Sequence, residues 1–322
     1  MSIDFENTII EELEKLDYNK FKVNITKHHI FVCGGEVNAK ASVPPSFRDR
    51  FVSYTISKEQ EIYEAIVLAE EFKDYFKENT YKDLLVFEDE IANISTLVII
   101  FLESPGSLVE LGMFCSKPNF YKKLVIVAPQ KEIEAEDSFI YLGPLEYIRK
   151  KEKTSVVIYP WPDKSKTNYD RDHLIDLCEI INGKLSGLKK SINFKSENTG
   201  HVAFLVFEII RLCYPILLGE IEIALMTLNL EVSNSEIKRH LYLLSKLRLI
   251  AINQYSGYHY YYPLISDLKS INFGRSSDDK VIDYQKIQMS INKSYILSDD
   301  QQSRKRRAAK KQINEKLEGE SQ

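Results

Sequence analysis

Apolar positions recur along this chain in two rhythms. Continuous or near-continuous apolar runs occur at "HHIFVCGG" (28–35), "TLVIIFL" (96–102), "KKLVIVAP" (122–129) and "TSVVIYP" (154–160), and "YEAIVLAEE" (63–71) has the same character. Runs of this length without alternation predict strands buried on both faces. Between them the spacing changes to that of a helix. In "YKDLLVFEDEIANIS" (81–95), Leu84, Phe87, Ile91 and Ile94 fall on one face, and residues 3–20 and 170–190 read the same way. A further helix is expected directly after the turn at 103–106. Strands alternating with helices predict an α/β domain, a Rossmann-like parallel sheet flanked by helices. Such sheets bind ligands at the carboxyl ends of their strands, which puts Gly34-Gly35, Glu70-Glu71 and the 103–110 turn on one rim.

The pattern changes after "SINFKSENTG" (191–200), which reads as a linker. Three helical stretches follow, at about 201–213, 217–229 and 233–248. The third opens with Ser233 and Glu236 spaced as a capping box, and Ile237, Leu241, Leu244 and Leu247 form its apolar stripe. Lys238, Arg239, Lys246 and Arg248 lie mostly off that stripe. Two short strands around Ser256-Gly257 complete a C-terminal winged helix, and half of the tyrosines among Tyr258, Tyr260, Tyr261 and Tyr262 must face its core. The expected domains are 1–195, 200–265 and a polar, basic tail at 266–322 that carries "RKRRAAKK", with Arg304, Lys305, Arg306 and Arg307.

Composition narrows the class. Of 322 residues, 44% are hydrophobic and 28% charged, as in a soluble globular protein. No apolar run approaches the roughly 20 residues of a membrane span, and the acidic, amphipathic start lacks the pattern of a secretion signal, so a cytoplasmic protein without membrane contact is expected. Cys33, Cys115, Cys178 and Cys213 have neither metal-ligand spacing nor a disulfide framework. The net charge of −4 divides unevenly: 26 Lys+Arg against 33 Asp+Glu up to residue 197, then 17 against 14. The second part is the better match for a polyanion.

The stretch "FLESPGSLVELGMF" (101–114) carries the candidate chemistry. Glu110 stands among apolar neighbours just past a Pro-Gly turn. Ser107 and Glu110 have the spacing of a capping box, which would make Glu110 a helix-start residue. Its place at the end of a central strand suits a nucleophilic carboxylate instead, since glycosyl transfer is chemistry that carboxylates perform. Gly34 and Gly35 follow a strand without forming the dinucleotide fingerprint. His28 and His29 read as structural, and Cys33 as a small buried apolar residue.

Together "FVCGG" and "FLESPGSLVELGMF" resemble the nucleoside 2-deoxyribosyltransferase superfamily, in which a Gly-x-x-x-Glu-Leu-Gly stretch holds the nucleophile. The resemblance is closer to the deoxyribosyltransferase-like toxic effectors of bacterial retrons, which share the Cys-Gly-Gly and Glu-Ser-Pro-Gly-Ser turns, a segment like "SFIYLGPLEYIRK" (138–150) and a winged helix behind. It spans about residues 28–262. The resemblance implies that Glu110 attacks the anomeric carbon of a ribosyl group. It places Gly34, Gly35 and Glu36 at the sugar or base, Glu71 and Glu88 at ribose hydroxyls or the base, and the N–H groups of Gly106 and Ser107 at a phosphate or hydroxyl. Ser104 and Thr96 stand where metabolic relatives carry Asp. Loss of those acids argues for a leaving group that needs no proton, hence NAD⁺ cleaved at its nicotinamide bond, as substrate and with no cofactor. The implied partners are the retron reverse transcriptase and its msDNA and noncoding RNA, met by the winged helix and tail, with a homo-oligomer or higher assembly left open. A nucleotide or nucleoside N-glycosidase or deoxyribosyltransferase is the alternative, and a ligand-sensing DNA-binding regulator without catalysis is a second.

Overall fold

The structure, a computed structural model, describes residues 5–72, 80–134, 139, 141–163, 165–276, 278 and 280–319. Residues 138 and 140 of the "SFIYLGPLEYIRK" segment, residues 3–4 of the first expected helix and 320–322 of the expected tail lie outside it. The chain forms two units. One comprises the described parts of 27–74 and 83–189, the other those of 1–26, 75–82 and 190–322. This division differs from three consecutive segments, because the first 26 residues run with the C-terminal unit.

The first unit holds, in chain order, β1 (Ile30–Cys33), α1 (Phe47–Lys58), β2 (Ile66–Leu68), α2 (Leu84–Ile94), β3 (Leu97–Phe101), α3 (Pro105–Cys115), β4 (Leu124–Pro129), β5 (Val156–Tyr159) and α4 (Arg171–Ser186). The five strands are all parallel in the order β2-β1-β3-β4-β5, with Ile30 opposite Leu97 and Cys33 opposite Ile100. This is the Rossmann-like α/β architecture that the apolar runs predict. Every residue of β3 is fully buried, which explains why its run shows no alternation. Ile30, Val32, Leu97, Ile99 and Phe101 pack with Phe47 and Phe51 of α1 and Leu177 and Ile181 of α4. Side chains alternate along a strand, so Phe31 and Cys33 point to the opposite face. There Phe31 meets Phe72, which in turn meets Phe87 of α2.

Helix α1 has no clear apolar stripe in sequence. Its consecutive Arg48, Asp49 and Arg50 are all buried, so charge stands where apolar residues would signal a helix. Arg50 donates to the carbonyl of Thr167 at 2.7 Å and also reaches those of Asp163 and Lys166. The stretch expected as one strand at 63–71 is strand only at β2. Residues Gln60–Ala65 before it are helical, and Ala69–Phe72 after it form a 3-10 turn.

In the second unit, α5 (Thr199–Cys213), α6 (Leu218–Thr227) and α7 (Asn234–Lys246) precede an antiparallel hairpin of β6 (Ile250–Tyr255) and β7 (Tyr258–Pro263). Ser233 and Glu236 close the capping box of α7, and Ile237, Leu241, Leu244 and Leu247 are buried. Ser256 (φ 49°) and Gly257 (φ 81°) form the two-residue turn with both φ positive that tight hairpins favour. Tyr260 and Tyr262 face inward, whereas Tyr258 is exposed. A short helix, Phe5–Leu13, and a three-stranded sheet of Lys22–Asn24 between Ser191–Asn193 and Ile271–Asn272 belong to the same unit. Among the described residues no helix is long and apolar enough to cross a membrane.

The segment expected as a polar tail is largely helical. Helices α8 (Tyr284–Ile296) and α9 (Gln301–Gly319) bury Ile287, Ile291 and Tyr295, and Ser303, Arg306, Ala309 and Ile313. Polar Ser303 and Arg306 occupy the inward positions that hydrophobic periodicity would need. Arg306 is a correction to the expected nucleic-acid contacts. It is 1% exposed, and its guanidinium is spent on the Glu220 carboxylate and the Pro215 carbonyl. Removing one member of a buried pair strands the other, so Arg306→Ala should cost about 3–5 kcal/mol in denaturant unfolding. Exposed Arg304→Ala should stay within about 0.5 kcal/mol.

Candidate active site

Strand order reverses between β1 and β3, and the carboxyl ends of these strands flank the crevice. The turn after β1 can enter it only because it is Gly-Gly. Gly34 has φ +147°, and a Cβ there would lie 2.8 Å from the Phe101 Cβ. A Cβ on Gly35 would meet the Ser46 Cβ at 2.7 Å and the Glu103 carboxyl at 2.9 Å. Glu103, two residues past β3, fixes this turn to α1. Its carboxylate accepts the N–H groups of Gly35 (3.1 Å), Phe47 (2.8 Å) and Arg48 (3.0 Å).

The start of α3 settles what Glu110 is not. Ser104 is the N-cap: its Oγ accepts the Ser107 N–H at 3.2 Å and donates to the Gly34 carbonyl at 3.3 Å. Ser107 Oγ accepts the Ser104 N–H at 3.2 Å, completing the box. The expected box of Ser107 with Glu110 is therefore replaced by one three residues earlier, and Glu110 falls in the second turn, free of capping.

Glu110 meets a cluster drawn from four elements. The Cys33 thiol at the end of β1 is the neighbour whose hydrogen-bonding influence lowers its pKa. Arg48 of α1, Glu70 of the turn after β2 and Glu88 of α2 complete the set of charges that act on the pair. Burial raises the Glu110 pKa to about 7; the Cys33 hydrogen bond and the Arg48 charge pull it down, and Glu70 pushes it up. Burial, then the Glu110 charge, raises Glu88 to about 8. Burial, with the charges of Glu110 and Glu88, keeps the Cys33 thiol protonated. Glu110 Oε2, Glu88 Oε2 and Arg48 Nε are each buried without a hydrogen-bond partner. Polar atoms left open in this way are costly. Among the described residues, no group of three His, Cys, Asp or Glu side chains is arranged to hold a metal ion.

Other expected positions fall as follows. Gly34, Gly35, Ser104, Ser107, Glu88 and Glu110 come together at the crevice. Gly106 lies on the exposed first turn of α3. Glu36 is exposed, and its carboxylate meets Asn38 at 3.4 Å. Glu71 is exposed too and folds back on the Leu68 N–H, whereas Glu70 pairs with Arg48. Thr96 is a correction to the acid-loss argument. Its hydroxyl accepts the His29 N–H at 3.0 Å at the amino ends of β1 and β3, the edge opposite the crevice, so an acid there would not serve the base. Sequence reasoning missed Arg48 and Glu103. Glu103 was readable in the Glu-Ser-Pro-Gly-Ser string, but Arg48 lies in a helix that the apolar pattern conceals.

The family model described as "STM3845 retron effector protein" matches residues 44–252, more than half of the 322. The chain belongs to this family of retron effectors. Two relatives from Escherichia coli are similar to it. The "Retron Ec86 putative ribosyltransferase/DNA-binding protein" is 31% identical over 140 residues, 44% of this chain and 42% of that protein. The Ec73 protein of the same description is 27% identical over 258 residues, 73% of this chain and 79% of its own. The retron effector thus spans less than half of the Ec86 protein it matches.

Its basic side chains in the second unit divide into three groups. Lys238, Arg248 and Arg304 are exposed. Lys305 lies over the Tyr258 ring at 4.7 Å, Arg239 over Tyr81 at 5.9 Å, and Lys246 over Tyr242 at 5.4 Å. Arg307 donates to the carbonyls of Tyr295 and Ser298, both at 2.6 Å, and so closes the end of α8. With Arg306 it forms part of the scaffold.

Proposed function

We propose that this retron effector is an N-glycosidase of the nucleoside 2-deoxyribosyltransferase type, acting on the nicotinamide–ribose bond of NAD⁺. The observation that carries the reading is Glu110 itself, a carboxylate released from capping, with a buried open oxygen at the switch point. The Glu110 oxygen attacks C1 of the ribose; the C1–N bond breaks and its electron pair leaves with the base. Water then adds at C1, losing a proton to solvent, which releases ADP-ribose and restores the carboxylate. Nicotinamide departs as a neutral molecule from a cationic ring and requires no proton. Glu70, Glu103 and Glu110 outnumber Arg48 around the crevice, a balance that favours a cationic ring and an oxocarbenium-like transition state.

One feature favours a second reading. Glu88, raised to about 8, holds its proton at neutral pH and is suited to protonate a departing purine. A nucleotide or nucleoside N-glycosidase would use it. The test is to incubate purified protein with NAD⁺, deoxynucleoside monophosphates and nucleosides and resolve the free bases by chromatography. Nicotinamide from NAD⁺ should far exceed adenine from dAMP. Equal or faster adenine release selects the second reading, and no base from any substrate leaves a ligand-sensing DNA-binding regulator.

The three helices and hairpin at 199–263 suit a winged helix. In this reading it contacts the retron reverse transcriptase and msDNA through exposed Lys238, Arg248, Arg304 and Tyr258, and that complex restrains the toxic activity.

A further inference from the structure

The amino edge of the parallel sheet, opposite the crevice, carries charge of the other sign. Lys122 and Lys123 stand directly before β4, and a short helix, Glu146–Lys151, leads into the turn Lys153–Ser155 before β5. Lys123 is spent within the fold, since its ammonium reaches the carbonyls of Ala92, Asn93 and Ser95 where α2 ends. Lys122, Lys150, Lys151 and Lys153 are exposed, and the Arg149 side chain is 41% exposed. Two acids stand among them. The Glu146 carboxylate lies 3.5 Å from Arg149 and 3.6 Å from Lys150, and Glu152 accepts the Thr154 hydroxyl at 2.7 Å. Cations still prevail here, although up to residue 197 acidic side chains outnumber basic ones by 33 to 26.

Exposed cations ordinarily make a solvated face. Here the backbone that bears them is tied together. Lys184, near the end of α4, donates to the Lys122 carbonyl and the Ser155 hydroxyl, both at 3.1 Å. The Ser155 hydroxyl donates in turn to the Tyr121 carbonyl. The Tyr121 ring meets that of Tyr147 edge-on, with centroids 6.3 Å apart. The turns before β4 and β5 and the helix between them are thus fixed, and a concavity of about 450 Å³ opens among Glu146, Arg149, Lys150 and Lys153. Tyr147, in the same helix, is 51% exposed.

We infer that this edge binds single-stranded nucleic acid, with Arg149, Lys150 and Lys153 on its phosphates and the Tyr147 ring stacked on a base. A group of cations tracks a phosphate backbone whatever its sequence. A base, unlike an acidic side chain, gives the ring a surface to stack on. The edge lies at the amino ends of β4 and β5, so a strand held there leaves the crevice at the carboxyl ends open. The inference is independent of what the crevice cleaves.

The test is fluorescence anisotropy of the full-length protein with a labelled mixed-sequence DNA strand over a range of salt concentrations. Replacing Arg149, Lys150 and Lys153 together by Gln should weaken binding at least about 10-fold. It should also lower the slope of log affinity against log salt by about 2, since each phosphate contact on a single strand contributes about 0.7. Tyr147→Ala should weaken the single strand about 10-fold and a hairpin duplex much less. Because the winged helix is also assigned to nucleic acid, the measurements are repeated with Lys238, Arg248 and Arg304 all changed to Gln. That background should retain salt-sensitive binding, and the losses should persist in it. Unchanged affinity and slope in the triple variant overturn the inference, and so does a background that binds no DNA. Polyglutamate that displaces the strand at equal charge would make this face a dock for an acidic protein instead. Equal weakening of strand and duplex by Tyr147→Ala would remove the stacked base.

Discussion

Glu110→Gln should lower base release by at least about 10³-fold while the protein remains folded. The expectation follows from two facts about one side chain. Gln has the shape of Glu but cannot form a glycosyl ester that water resolves. The cap of α3 is made by Ser104 and Ser107, so nothing at the helix start depends on Glu110. A neutral amide also removes the burden of a buried carboxylate, so the variant should be no less stable than the parent at pH 8. Circular dichroism together with base release on the same sample decides the matter. Turnover retained in a folded Gln variant removes covalent catalysis from consideration.

The second large effect belongs to Glu88. In the purine reading Glu88→Gln should lose about 10²–10⁴-fold on a purine substrate, and in the NAD⁺ reading it should change nicotinamide release little. The pH profile makes the same distinction. Activity rises through about pH 7 as Glu110 loses its proton, and a fall near pH 8 appears only where Glu88 must donate one. Stability gives an independent check. The Glu88 pKa lies above the ordinary carboxylate value, so the folded state holds the proton more tightly than the unfolded chain. That contribution is fully present below about pH 4.5 and is lost as pH rises through about 8. Gln cannot titrate. Glu88→Gln should therefore be more stable than the parent at pH 8, by on the order of 2–4 kcal/mol, and the gap should close near pH 5. A constant difference between pH 5 and 8 would mean that Glu88 is not held protonated.

Much of this was legible because the parallel sheet is buried on both faces. The runs of β1, β3, β4 and β5 have no polar interruption, and the turns that follow β1 and β3 carry the glycines and serines that the crevice needs. What stayed hidden shares one physical cause, the burial of charge. Arg48 and Arg50 in α1, and Arg306 in α9, point inward because carboxylates or carbonyls receive them. A reading based on apolar spacing sees only surface there. It consequently passed over α1 and took α8 and α9 for a tail. Thr96 shows the converse. Its position in the chain suggested a lost acid at the site, but one strand length separates it from the crevice.

The pairing of Lys22–Asn24 with both Ser191–Asn193 and Ile271–Asn272 has a consequence for how the molecule is made. As the chain leaves the ribosome, residues 27–189 hold the whole of the unit that carries the five-stranded parallel sheet and can close that sheet early. The strand at 22–24, already synthesised, must wait for a partner almost 250 residues downstream. Its unit is therefore the slower to assemble, since contacts so distant in sequence form late. Every nascent molecule passes through an interval in which the crevice exists and the basic C-terminal unit does not. On the proposed function, restraint during that interval has to come from the order of synthesis or from a partner already waiting.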